Sequence, residues 1–218
     1  DSFYRYLNLG MKVPFSTGTD WFIYDFSRVY VPLQGELTVD AWLRGLRAGQ
    51  SYITNGTFLE FSVNGKSLGD TISLSGPGKL EIRGRGLGRN DFRSLELIHN
   101  GQRIEQVTTR SMEGHFSAEL GLSLPIKESG WLALRIPLDA GRNELDKPLF
   151  AHTSPVYVEV AGQRIFDPQV ANTLIQEIES NMQTIRDKGK FANPQELEAV
   201  LRVHRTGIED LRSQLKPR

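Results

Sequence analysis

The sequence predicts a mainly β protein: an antiparallel β-sandwich over residues 51–166, preceded by a mixed α/β segment over 1–50 and followed by a helical hairpin over 167–218. Three observations carry this. From 51 to 166 hydrophobicity alternates with period two, and turn dipeptides recur at short intervals. Past 167 the period lengthens to that of a helix.

The first 50 residues mix both kinds of signal. Phe3, Tyr4, Tyr6, Leu7 and Leu9 read as the end of an apolar helix that Gly10 terminates. Residues 12–16 are extended and lead into the polar turn Thr17-Gly18-Thr19-Asp20. A second strand covers 27–32. Thr38 then caps a short helix with Val39, Trp42, Leu43 and Leu46 on one face and Gly49 just past its end. Two short strands and one and a half helices bury too little apolar area to offset backbone ordering of roughly 1–2 kcal/mol per residue. This region must therefore lean on a domain ahead of it or on the sandwich behind it, and we read the chain, which starts at Asp1, as a fragment or processed product.

In the middle region, 58–63 ends in Asn64-Gly65 and 94–99 in Asn100-Gly101, pairs that favour type I′ hairpin turns because both residues accept positive φ. Residues 79–84 set Leu80 and Ile82 against Glu81 and Arg83. The same alternation returns at 131–136 and 156–160. Seven or eight short strands without intervening helices predict a sandwich of immunoglobulin-like size. In the tail, Asp167 caps a helix with Pro168 in its first turn and a stripe of Val170, Leu174, Ile175, Ile178, Met182 and Ile185, ending at Gly189. Asn193 and Pro194 open a second, with Leu197, Val200, Leu201, His204, Ile208, Leu211 and Leu215.

Composition excludes several function classes. The 26 basic and 26 acidic residues cancel, which removes a global attraction to nucleic acid or anionic membrane. With no cysteine there is no disulfide framework, thiolate zinc site or cysteine nucleophile. No apolar run reaches the roughly 18 residues of a membrane span, and there is no signal-peptide pattern. The compartment is left open, with a periplasmic or extracellular address preferred.

No catalytic motif is complete. Gly84-Arg85-Gly86-Leu87-Gly88 has the glycine content of a phosphate loop, but a strand precedes it and no helix follows, so it reads as a loop between strands. Asn55-Gly56-Thr57 fits a glycosylation sequon and reads as a turn before a strand. His99, His115, His152 and His204 lie on different elements without ligand spacing and read as structural. Asp20 stands apart: a carboxylate after a Gly-Thr turn, at the C-terminal end of a short apolar strand, is where α/β barrels place metal ligands and acid/base groups, although an Asp in a turn taken alone is more often a simple cap.

The succession Tyr6-Leu7-Asn8-Leu9-Gly10, Val13-Pro14-Phe15-Ser16-Thr17-Gly18-Thr19-Asp20, Arg28-Val29-Tyr30-Val31 and Trp42-Leu43-Arg44-Gly45-Leu46-Arg47-Ala48-Gly49-Gln50-Ser51-Tyr52-Ile53-Thr54-Asn55-Gly56 resembles the C-terminal part of CehA/McbA-type proteins. These are the carbaryl-hydrolase-like branch of the polymerase-and-histidinol-phosphatase (PHP) metallohydrolases. The resemblance covers residues 1 to about 70 and continues more loosely through 155–160. It implies a distorted α/β barrel ahead of this chain, with residues 1–50 as its C-terminal remnant. It also implies a divalent metal in the full-length parent and Asp20 at a late metal-ligand position. Family members often carry His two residues after that Asp, where this chain has Trp21 and Phe22.

The expectation is therefore a non-catalytic accessory sandwich of a PHP-like metal-dependent hydrolase, with no cofactor of its own and the preceding barrel as its partner. The alternatives are a carbohydrate- or ligand-binding sandwich, for which Trp21, Trp42 and Trp131 are the aromatics of interest, and an oligomerisation element in which the helical tail joins copies of the chain. Neither nucleic acid nor membrane is an expected partner.

Overall fold

The computed structural model describes residues 2–18 and 26–216, which form two compact units, 1–165 and 166–218. The chain is mainly β, with 36% strand against 28% helix.

The first unit opens with α1 (Ser2–Asn8), closed by Gly10 at φ +76°; Gly10 N–H donates to Leu7 O and Met11 N–H to Tyr6 O. β1 (Arg28–Tyr30) follows, then α2 (Val39–Arg47), whose Thr38 hydroxyl accepts from Ala41 N–H as expected of its cap. Gly49, at φ +69°, sits one residue past the C-cap. The buried residue of α2 is Gly45, where a Cβ would come within 2.4 Å of Val31 Cγ1, while Val39 is 74% exposed. Close backbone approach, and not the full expected apolar face, seats this helix.

Strands β2 (Tyr52–Thr54), β3 (Phe58–Val63), β4 (Thr71–Leu74), β5 (Gly78–Gly88), β6 (Ser94–His99), β7 (Gln102–Thr108), β8 (Arg110–Met112), β9 (His115–Ile126), β10 (Gly130–Ile136), β11 (Ala151–Thr153) and β12 (Val156–Val160) come next. They outnumber the seven or eight expected, partly because one strand is divided. The register β10 keeps with β12 shifts by one residue before β11, and the intervening Leu134 N–H is satisfied by the Thr153 hydroxyl at 2.9 Å. An eight-stranded sheet holds β1, β2, β4, β6, β7, β10, β11 and β12; a four-stranded sheet runs β3-β5-β9-β8. Among the described residues all strand pairings are antiparallel except β12 with β4, so the larger sheet is mixed where a purely antiparallel one was expected.

Leu59, Phe61, Val63, Leu80, Ile82, Ala118 and Leu120 from the small sheet join Leu95, Leu97, Leu132, Leu134, Ile136, Val156 and Val158 from the large one in a single core, a sandwich-like arrangement. Asn100-Gly101 makes the β6–β7 hairpin, with φ of 50° and 89°. Asn64-Gly65 makes the same kind of turn at 47° and 74°, but only Val63 and Lys66 pair across it before the chain crosses to the other sheet.

Residues 84–88 correct the expected loop: they are the second half of β5. Gly84, Gly86 and Gly88 face inward, where a Cβ would meet Leu134 at 2.8 Å or Phe92 at 3.0 and 2.8 Å. The glycines make room for large neighbours inside a strand and do not break it.

The second unit contains α3 (Pro168–Lys188) and α4 (Pro194–Gln214), which pack on each other. Asp167 accepts from the N–H groups of Gln169 and Val170, and Asn193 from that of Glu196, the two caps expected. Ala171, Ile175 and Met182 are buried on α3 and Leu201, Ile208 and Leu211 on α4; the rest of each stripe is half-buried.

Candidate functional site

The core strands of the large sheet are buried on both faces. Their inner side chains enter the sandwich core; their outer ones form a second surface covered by α1 and the chain that follows it. There Tyr4 and Leu7 pack with Ile98, Trp131, Ala133 and Tyr157. Burying Leu7 fully contributes about 2 kcal/mol.

Polar side chains fix this packing. The indole N–H of Trp131, itself wholly buried, donates to Asn8 Oδ1 at 2.7 Å, and Asn8 Nδ2 donates to Asn100 O at 3.3 Å. His152 Nδ1 lies 2.7 Å from Thr153 O, which can only accept, so Nδ1 carries the proton and Nε2 accepts from the Tyr4 hydroxyl at 2.7 Å. Phe3 and Phe15 meet the same imidazole edge-on, at centroid distances of 6.0 and 5.9 Å. Beside Tyr4, the Glu96 carboxylate, 4% exposed, accepts from Arg135 at 2.6 and 2.9 Å and from Arg103 at 3.0 Å. Two guanidiniums and short geometry compensate for the desolvation of that carboxylate.

Burial, the positive charge of Arg135 adding to it, holds His152 down at about 4 against the opposing Thr153 hydrogen bond. Burial likewise raises the Tyr4 phenol. The imidazole is neutral and both its nitrogens are engaged, so this cluster fastens residues 2–16 to the sheet and offers no free base to a substrate.

The expected site residues are not assembled around a common point. Asp20, with Trp21 and Phe22, lies outside the described residues. Trp131 is core and Trp42 half-buried, so neither is an exposed binding platform. His115 Nδ1 bonds to Glu113 O and His204 Nδ1 to Val200 O, both local backbone contacts. Asn55 is 1% exposed and ties the 143–150 loop through Pro148 O and Phe150 N–H, which suits the turn reading and leaves no open amide for a glycan. Among the described residues no group of three or more His, Asp or Glu side chains could hold a metal ion. The described residues by themselves therefore supply no donor set for the metal that the resemblance implies.

Sequence reasoning missed the Tyr4–His152 and Glu96–Arg135 partnerships. A signal was present: Glu96 within Leu95-Glu96-Leu97-Ile98 and Arg135 within Leu134-Arg135-Ile136 place opposite charges inside otherwise apolar strands, which is sustainable only if they meet.

The outer face of the four-stranded sheet carries a groove of about 620 Å³, walled by Glu60 and Ser62 of β3, Arg83 and Arg85 of β5, and Glu119 of β9, with Gly121 at its floor. Register sets Glu60, Arg85 and Glu119 in one row and Ser62, Arg83 and Gly121 in the next. Arg85 lies 3.7 Å from Glu60 and 3.6 Å from Glu119.

Comparisons of the chain with models of protein families, with curated proteins and with solved structures found no match.

Proposed function

We propose that this chain is the non-catalytic C-terminal accessory region of a PHP-like metal-dependent hydrolase, in which residues 1–50 complete a barrel contributed by the parent protein and the β-rich body holds that segment in place. The observation that carries this reading is the fastening of α1. The stretch where the family resemblance begins is anchored by buried apolar contacts and by the Asn8–Trp131 and Tyr4–His152 hydrogen bonds. A second resembling stretch, β1, is hydrogen-bonded through β2 into the same sheet. In this reading Asp20, a dozen residues past α1 in the chain, is the ligand that this segment adds to those of the parent. The immunoglobulin-like description of the sandwich belongs to the same reading.

Calorimetric titration of the chain with zinc and manganese, beside an Asp20→Asn variant, tests it. A catalytic zinc takes about three protein ligands and harder cations six or more oxygens. The proposal expects millimolar or weaker binding in both proteins. Micromolar binding that disappears in the variant would mean a self-sufficient metal site and would overturn the accessory assignment.

A further inference from the structure

Among the described residues six glycines lie in the strands of the sandwich, and packing demands four of them: a Cβ at Gly84, Gly86, Gly88 or Gly130 would meet Leu134, Phe92, Phe92 or Asn100 within 3.0 Å. Gly78 opens β5 straight after a turn, and a Cβ there would make ordinary contact with Leu74 at 3.6 Å. Gly121 is different. It lies in the middle of the 12-residue β9, its φ is not positive, and a Cβ there would meet nothing within 4 Å. A glycine inside a strand weakens it and gives up side-chain packing; mid-strand in unbroken register, with neither backbone conformation nor packing demanding it, Gly121 leaves room for close approach by a ligand or another backbone.

What stands beside Gly121 matches that use. In its row are Arg83 on β5 and Ser62 on β3. The Arg83 side chain is exposed and has no hydrogen-bond or ion-pair partner among the described residues, whereas Arg85, one row away, has Glu60 and Glu119 within 3.7 Å. The groove thus offers one free guanidinium, a hydroxyl and two exposed carboxylates as hydrogen-bond acceptors, over a floor without side-chain bulk. Its four charges sum to zero. A polyphosphate or nucleic acid would be repelled by Glu60 and Glu119, while a ligand with a single carboxylate at Arg83 and hydroxyls to satisfy the glutamates is matched in both respects.

We propose that the outer face of the four-stranded sheet binds a carboxylate-bearing oligosaccharide, with Arg83 and Ser62 taking the carboxylate, Glu60 and Glu119 accepting from hydroxyls, and a sugar ring lying over Gly121. This goes beyond the accessory-region reading and stands whether or not a barrel precedes the chain.

The test is calorimetric titration of the chain with two trisaccharides that carry one uronate each, one galacturonate and one glucuronate, their other two sugars neutral, beside maltotriose and acetate. Binding of at least one acidic trisaccharide at millimolar Kd or tighter is expected, weakened at least tenfold in Arg83→Gln. Gly121→Val fills the floor and should weaken binding as much while melting at or above the parent temperature, since valine suits an exposed strand better than glycine. That separates the site from the fold. Failure of both acidic sugars to bind, binding unchanged by Arg83→Gln, or acetate binding as tightly as the trisaccharides would each overturn the proposal.

Discussion

Replacing Asn8 by alanine tests how firmly α1 is fastened. The change removes the acceptor that Trp131 Nε1–H reaches at 2.7 Å, and Trp131 is 0% exposed, so the indole donor loses its partner in a buried setting. An orphaned buried donor costs about 1–3 kcal/mol. Against this, alanine at the last residue of α1 is the better helix former, by roughly 0.5 kcal/mol. The orphaned donor wins, and the net loss is about 1.5 kcal/mol. For a unit of residues 1–165, each kcal/mol moves the melting temperature by about 2–4 °C, so a fall of roughly 3–6 °C is expected. A cycle with Trp131→Phe isolates the bond: the cavity left by phenylalanine appears on both sides and cancels. The double variant should be less destabilised than the sum of the singles by about 1 kcal/mol. Urea unfolding gives the free energies and circular dichroism the melting temperature. A melt within 1 °C of the parent, or single-variant effects that simply add, would refute the reasoning.

Three other perturbations follow from the same geometry. Because His152 is held at about 4, below its unfolded value near 6.5, the unfolded chain binds the extra proton first as pH falls; stability should be full above about pH 7 and decline by about 3 kcal/mol toward pH 4. Urea midpoints across that window should flatten in His152→Gln, save the share of His99, which burial also depresses; an unchanged slope would exclude His152 as the cause. Gly84→Val places side-chain atoms against Leu134, whose Cδ1 is 2.8 Å from the Cβ position, and should cost about 1–3 kcal/mol, read as a lowered melting temperature; a parent-like melt would contradict the inward glycine packing. Leu201→Asp puts a charge at a position 4% exposed on α4, so the helical unit should lose about 3 kcal/mol, visible as earlier loss of the 222 nm signal.

What was legible in the sequence was whatever depends on local chemistry. Asp167-Pro168 and Asn193-Pro194 mark helix starts because cap and first-turn preferences are properties of a few adjacent residues. Alternation at 79–84 and 131–136 marks strands because side chains of one strand point to opposite faces. What was illegible depends on neighbours distant in sequence. Gly84 to Gly88 look like a breaker until Leu134 and Phe92 are seen to occupy the space above them. The parallel pairing of β12 with β4 and the contact of Tyr4 with His152, 148 residues apart, leave no trace in spacing. The groove escaped notice for the same reason: Ser62, Arg83 and Gly121 are neighbours only through the register of three strands. Asp20, the candidate read from the family resemblance, lies outside the described residues, and chemistry must decide its role.

The most direct test of the proposed parentage is the metal content of the full-length parent protein, measured by plasma mass spectrometry on wild type and Asp20→Asn, with hydrolysis of an activated ester followed in parallel. The accessory-region account predicts at least about one divalent ion per chain in the wild type, with metal content and hydrolysis falling together in the variant. A full-length protein without bound metal, or one whose metal content and hydrolysis are untouched by Asp20→Asn, would contradict it.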